Sequence, residues 1–167
     1  MICFTRDETA EWLARYDVTP SPYGKSKQPA HYIQFRLPPR SIANFAFIRS
    51  FLKLTDGEVL VDVTDWPLYE PAEMVVVDSL RREHGEQRNL IDAPGHALLR
   101  EESELAIAIY GSAGNFQWNS YLYLPNDLAT LYNWEGDLYD FWTKDLERLR
   151  EMQNLVDDFD LQLENGG

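Results

Sequence analysis

Polar and apolar positions change period several times along this chain, and each change marks an expected element. Thr5 and Glu8 stand at capping-box spacing, and Trp12, Leu13 and Tyr16 then fall on one side, which predicts a helix over residues 6 to 16. Prolines, glycine, serines and lysines fill residues 17 to 30 and read as a loop. Ile33, Phe35 and Leu37 then alternate with Gln34 and Arg36, the period of a half-buried strand, which Pro38 and Pro39 end. Ser41 can cap a second helix whose stripe is Ile42, Phe45, Ile48, Phe51 and Leu52, with Phe47 off the stripe. A turn at Thr55-Asp56-Gly57 leads to a strand over residues 58 to 64, with Val59, Val61 and Val63 on one face. Pro71 suits the first turn of a third helix running to about His84.

The second half of the chain is richer in aromatic residues. Residues 85 to 104 read as polar and irregular, with a turn at Pro94-Gly95, and residues 105 to 110 as a short apolar strand. Gly111 to Gly114 reads as a turn into a strand over residues 115 to 124. There Phe116, Trp118, Leu122 and Leu124 share one parity, which turns Tyr121 and Tyr123 to the other face with Gln117 and Asn119, either as a contact row or packed under a covering helix. Residues 128 to 134 suggest a further strand. Asp137 is the expected cap of a final helix, in which Leu138, Phe141, Trp142, Leu146, Leu149, Met152, Leu155, Val156 and Phe159 recur at three-and-four spacing. The expected architecture is α+β in a single domain. A mainly antiparallel sheet of about five strands is packed by helices, and a long amphipathic acidic helix closes the chain.

Composition narrows the class of molecule. With 167 residues, 44% of them hydrophobic, the chain can bury a core. No apolar run approaches the roughly 20 residues that span a bilayer, and charges at positions 6, 7, 8 and 11 break any signal peptide. The single cysteine, Cys3, excludes an intramolecular disulfide framework, so a cytoplasmic setting is expected. The net charge of −13 is unevenly spread: residues 1 to 54 carry +4, residues 55 to 104 −9, residues 105 to 134 −1 and residues 135 to 167 −7. Such a balance disfavours nucleic acid and acidic membranes, whose affinity comes from Lys and Arg, and attracts basic proteins.

Candidate chemistry is sparse. Asp92 and His96 lie around one Pro-Gly turn. Asp62, Asp65, Glu70 and Glu73 bracket the apolar residues 66 to 69. A small hydrolase or ligand-binding domain would need Asp62, Asp65, Asp92 and His96 to converge, with tuned pKa values. No metal-ligand spacing, phosphate-loop signature or nucleophile elbow supports them, and neither metal nor cofactor is expected. Cys3 has no local partner that would lower its pKa.

The aromatic run before the acidic C-terminal segment is the more informative feature. It suggests a partner-binding face built from Tyr121, Tyr123, Trp134, Asp137, Tyr139, Asp140, Trp142 and Asp145, with aromatic anchors and carboxylates for attraction. In bulk character, being small, acidic and single-domain, the chain resembles bacterial immunity proteins, and no residue motif carries that likeness. It implies a non-enzymatic inhibitor that engages a basic protein. A homo-oligomeric scaffold or homodimer, paired through the last helix or a sheet edge, is the remaining alternative.

Overall fold

A computed structural model describes residues 1–23, 28–38, 41–55, 57–65 and 71–164. Residues 66–70, part of the second carboxylate group, lie outside the described residues, as do Gly24, Pro39 and Asp56 of the expected loops. In chain order the elements are β1 (Ile2–Phe4), α1 (Arg6–Arg15), β2 (His31–Arg36), α2 (Ser41–Leu52), β3 (Val59–Val63), α3 (Pro71–Glu83) and β4 (Gly95–Leu98). Then come α4 (Ser103–Asn115), β5 (Ser120–Tyr123), β6 (Thr130–Trp134), β7 (Leu138–Thr143), α5 (Leu146–Asp158) and β8 (Leu163–Glu164).

Among the described residues the strands form one eight-stranded antiparallel sheet, ordered β1-β4-β3-β5-β6-β7-β2-β8. The expected sheet of about five strands is therefore too small, and the expected long C-terminal helix is a short one of 13 residues. Both errors have local causes. β7 carries two side-chain sets: Tyr139 and Phe141 face one side of the sheet, Asp140 and Trp142 the other. Apolar residues on both faces imitate helical spacing. Glu135 (φ 47) and Gly136 (φ 72) build a type I′ turn closed by Asp137 N–H donating to the Trp134 carbonyl at 2.9 Å. Asp137 thus ends a hairpin turn, and Asp145 caps the helix instead, its Oδ1 accepting from Glu147 N–H at 2.8 Å.

Residues 105–110, expected as a strand, belong to α4, and the expected turn at Gly111 to Gly114 is that helix's last turns. This helix is buried over most of its circumference, so no polar face betrays its period. Its small residues have a packing role. A Cβ on Gly111 would lie 2.5 Å from the Phe45 ring of α2, so only glycine allows this crossing distance. Gly111→Ala is expected to destabilise the fold by about 1–3 kcal/mol, even though alanine favours helices, because overpacking forces the two helices apart. A fall in the urea midpoint at unchanged slope would confirm it, and an unchanged midpoint would refute it. The stretch expected to be irregular also hides β4, all four residues of which are buried.

Several expectations hold. The capping box forms, with Glu8 N–H donating to Thr5 Oγ1 and Thr5 N–H to Glu8 Oε2. β2, α2, β3 and α3 lie where the spacing puts them. Ile42 is an exception on the α2 stripe, being 83% exposed, whereas the off-stripe Phe47 is buried. Phe47 stacks on Tyr139 and meets Phe35, and Phe51 meets Phe141. These contacts place α2 on one face of the sheet, in the main core shared with α3, α4 and α5.

The opposite face is covered only in part. Trp12 and Leu13 of α1, with Val18 after it, pack on Leu60, Ala97, Tyr121 and Tyr123. The close approach of Thr9 to the sheet needs Gly95, whose added Cβ would fall 2.3 Å from Thr9 Oγ1. Toward β7 and β2 no helix among the described elements continues this cover.

Candidate functional site

Strand register assembles a polar and aromatic row across this second face. Asp62 pairs with Tyr121, Tyr121 with Tyr132, Tyr132 with Asp140 and Asp140 with Gln34, on β3, β5, β6, β7 and β2 in turn. Tyr121 stacks on Tyr132 with ring centroids 4.3 Å apart, and on Tyr123 at 5.1 Å. The adjacent row runs through Tyr123, Thr130, Trp142 and Tyr32.

The chain after α1 is fastened over these rows. Asn126 N–H donates to the Tyr16 carbonyl, and Thr19 donates through both its N–H and its hydroxyl to the Asp127 carboxylate at 2.7 and 2.8 Å. Ser21 N–H donates to Tyr123 Oη, and the Ser21 hydroxyl shares a hydrogen bond with that of Tyr121. These ties deliver Tyr23, whose ring lies 5.9 Å from Trp142, 5.5 Å from Trp134 and 6.4 Å from Tyr132. Tyr32 lies 5.3 Å from Trp142 on the other side. Between them opens a cleft of about 180 Å³ lined by Tyr23, Gln28, Tyr32 and Trp142.

Asp140 lies beside this cleft with no solvent exposure. Its Oδ1 accepts from the Tyr32 hydroxyl at 2.6 Å and from Gln34 Nε2 at 2.8 Å. Its Oδ2 has no hydrogen-bond partner among the described residues. No Lys, Arg or His among them pairs with it, and burial raises its pKa despite the two hydrogen bonds. The Tyr32 and Tyr132 phenols are also pushed up: burial is the main cause for both, and the Asp140 charge adds to each. A buried carboxylate without a counter-charge is costly and calls for a cation.

The partner-binding residues expected from sequence are scattered by the fold. Trp134 is 40% exposed, Asp137 is exposed and ion-paired to Arg36 at 3.1 Å, and Asp145 is half-buried at its helix cap. Tyr121 and Tyr123 lie on the face their parity assigns and are buried beneath α1 and its following segment, so the covering-helix reading holds for them and the contact-row reading does not. Tyr139 is buried in the main core, where its hydroxyl donates to Asn44 Oδ1 at 2.6 Å. Trp142, only 2% exposed, lines the cleft, and Asp140 lies buried beside it. Tyr23, Tyr32, Gln34 and Tyr132 were missed, although the alternation of β2 already sets Tyr32 and Gln34 apart from its core side.

The Asp62, Asp65, Asp92 and His96 group does not converge. His96 stands opposite Val61 and Asp62 opposite Gly95, so adjacent pairs send the two side chains to opposite faces of the sheet. Burial lowers the His96 pKa to about 3 and raises that of Asp62 to about 6. Asp65 is exposed, and Asp92 accepts from Asn89 Nδ2 beside a separate cleft that includes Met74, Val75 and Ile91. Burial pushes the Cys3 thiol up to about 11 and keeps it protonated at neutral pH. Among the described residues no group of three His, Cys, Asp or Glu could hold a metal ion. None of the helices there is long and apolar enough to cross a membrane. Comparison with protein-family models, curated proteins and solved structures gave no match to this chain.

Proposed function

We propose that this protein is a non-enzymatic, cytoplasmic binding protein that captures a basic protein on the open end of its second sheet face. In general character such a molecule is like an immunity protein or inhibitor. The observation that carries this reading is Asp140: a buried carboxylate with no cation beside it among the described residues, set next to an aromatic cleft that solvent can enter. Exposed aromatics supply contact area at little entropic cost, and Tyr23, Tyr32 and Trp134 are 46%, 41% and 40% exposed. Glu135 and Asp137 stand at the nearby hairpin, and the net charge of −13 steers cationic partners toward the chain. Sheet-edge pairing between copies has less support, because β1 has three residues and β8 two, and short edge strands resist such pairing.

Binding to a panel of purified basic ribonucleases and deoxyribonucleases, measured calorimetrically, tests this reading. At least one is expected to bind, with affinity falling about tenfold or more between roughly 0.05 and 0.5 M salt. Trp134→Ala should weaken the same complex. Absence of binding across the panel, or affinity indifferent to salt, would remove the basis for an electrostatic capture surface.

A further inference from the structure

Resting on this partner-binding reading, we infer that the cleft between Tyr23, Tyr32 and Trp142 receives a single lysine-type ammonium from the partner, in preference to an arginine. Three features make it a cation site. Its walls are aromatic, and cations are attracted to ring faces, most strongly where water is excluded. Its volume of about 180 Å³ has room for an ammonium head and the methylenes behind it. Asp140, whose charge acts on both Tyr23 and Tyr32, is buried and lacks a counter-ion among the described residues.

The preference for lysine follows from how Asp140 is already engaged. A guanidinium is best held by a fork of two parallel hydrogen bonds to the two oxygens of one carboxylate. Here Oδ1 already accepts two hydrogen bonds, from Tyr32 and Gln34, which fills its ordinary capacity. Oδ2 is closed off from solvent, so a planar fork cannot reach both oxygens together. An ammonium is a compact point charge and needs no fork. The Tyr32 hydroxyl spends its hydrogen on Asp140, which leaves its oxygen as an acceptor strengthened by the anion behind it. Gln28, on the cleft wall, offers a second polar group. Asp140 thus acts on the ligand through Tyr32 and through its field.

Titration with Nα-acetyl-lysine methylamide, its arginine counterpart and its norleucine counterpart, followed through tryptophan indole resonances in the full chain, tests the assignment. The lysine probe is expected to saturate with a dissociation constant of about 1–10 mM. The arginine probe should bind at least about fivefold more weakly, and the norleucine probe should not saturate. Tyr32→Phe should weaken the lysine probe by about fivefold, since it removes the hydroxyl that links ligand and Asp140. Tyr23→Ala, at an exposed position, should weaken it with the circular dichroism spectrum unchanged. Arginine binding as tightly as lysine, norleucine binding as tightly as either, or no saturation by any cation would overturn the inference. The outcome is separable from that of the partner reading. Salt-sensitive binding of a basic protein with no lysine preference sinks only the lysine site. Saturation by the lysine probe with no basic protein bound sinks only the partner reading.

Discussion

Asp140→Asn is expected to cost about 2 kcal/mol or more in binding a basic partner, roughly a thirtyfold loss, while the free protein becomes no less stable. The two effects have one cause. Asparagine keeps an oxygen to accept from Tyr32 and Gln34, so the local packing survives. It removes the charge that the fold holds in a buried position without a counter-ion among the described residues. The sign of the stability effect follows from the raised pKa: the folded state disfavours the ionised carboxylate relative to the unfolded chain, so ionisation destabilises the fold and its removal relieves that. A residue that costs stability and sits beside an open aromatic cleft fits a functional role. Calorimetric binding together with urea unfolding of both chains would check it. An Asp140→Asn chain that binds a basic partner as well as the natural chain would refute the role, and one that unfolds more easily would show that the charge is stabilising.

Asp62→Asn is expected to stabilise the fold by up to about 3 kcal/mol at neutral pH and by almost nothing below about pH 4. Asp62 has its pKa raised from 3.8 to about 6, burial being the first cause, with Arg6 partly opposing it. The unfolded chain therefore releases this proton at lower pH than the folded chain does. Stability from this group is lost as pH rises from about 4 to about 6. His96 works the other way. Its pKa falls from 6.5 to about 3 on burial, so below about pH 6.5 the unfolded chain binds a proton that the folded chain refuses. Stability from His96 is complete above that pH and is lost as pH falls toward about 3. Between about pH 4 and 6 the two slopes have opposite signs and nearly cancel, and the asparagine variant should expose the His96 slope of about 1.4 kcal/mol per pH unit. Urea unfolding of both chains at about pH 3.5, 5 and 7 measures the difference. A difference that stays constant across this range would show that Asp62 does not titrate as its burial demands.

Much of the N-terminal half was legible because its elements carry local signals. The Thr5–Glu8 capping box, the β2 alternation and Pro71 at the start of α3 each act within a few residues. The C-terminal half hid its elements because burial on both sides erases the contrast that periodicity needs. α4 is apolar almost all round, β4 is wholly buried, and β7 presents aromatics to both faces. The Glu135-Gly136 pair is a local hairpin signal before β7, and the helical spacing downstream masked it.

By itself the sequence determined an α+β chain with a strong acidic surplus and an aromatic concentration between residues 116 and 142, because composition and short-range periodicity are properties of the chain alone. Only the tertiary structure decided which aromatics meet solvent and which buried carboxylate has no counter-charge among the described residues. Tyr32 and Gln34 reach Asp140 across 108 and 106 residues of chain through the β7–β2 pairing, and Tyr23 reaches Trp142 through a segment tied to Asp127 and Tyr121. Such contacts arise from strand order and register, which no local pattern encodes.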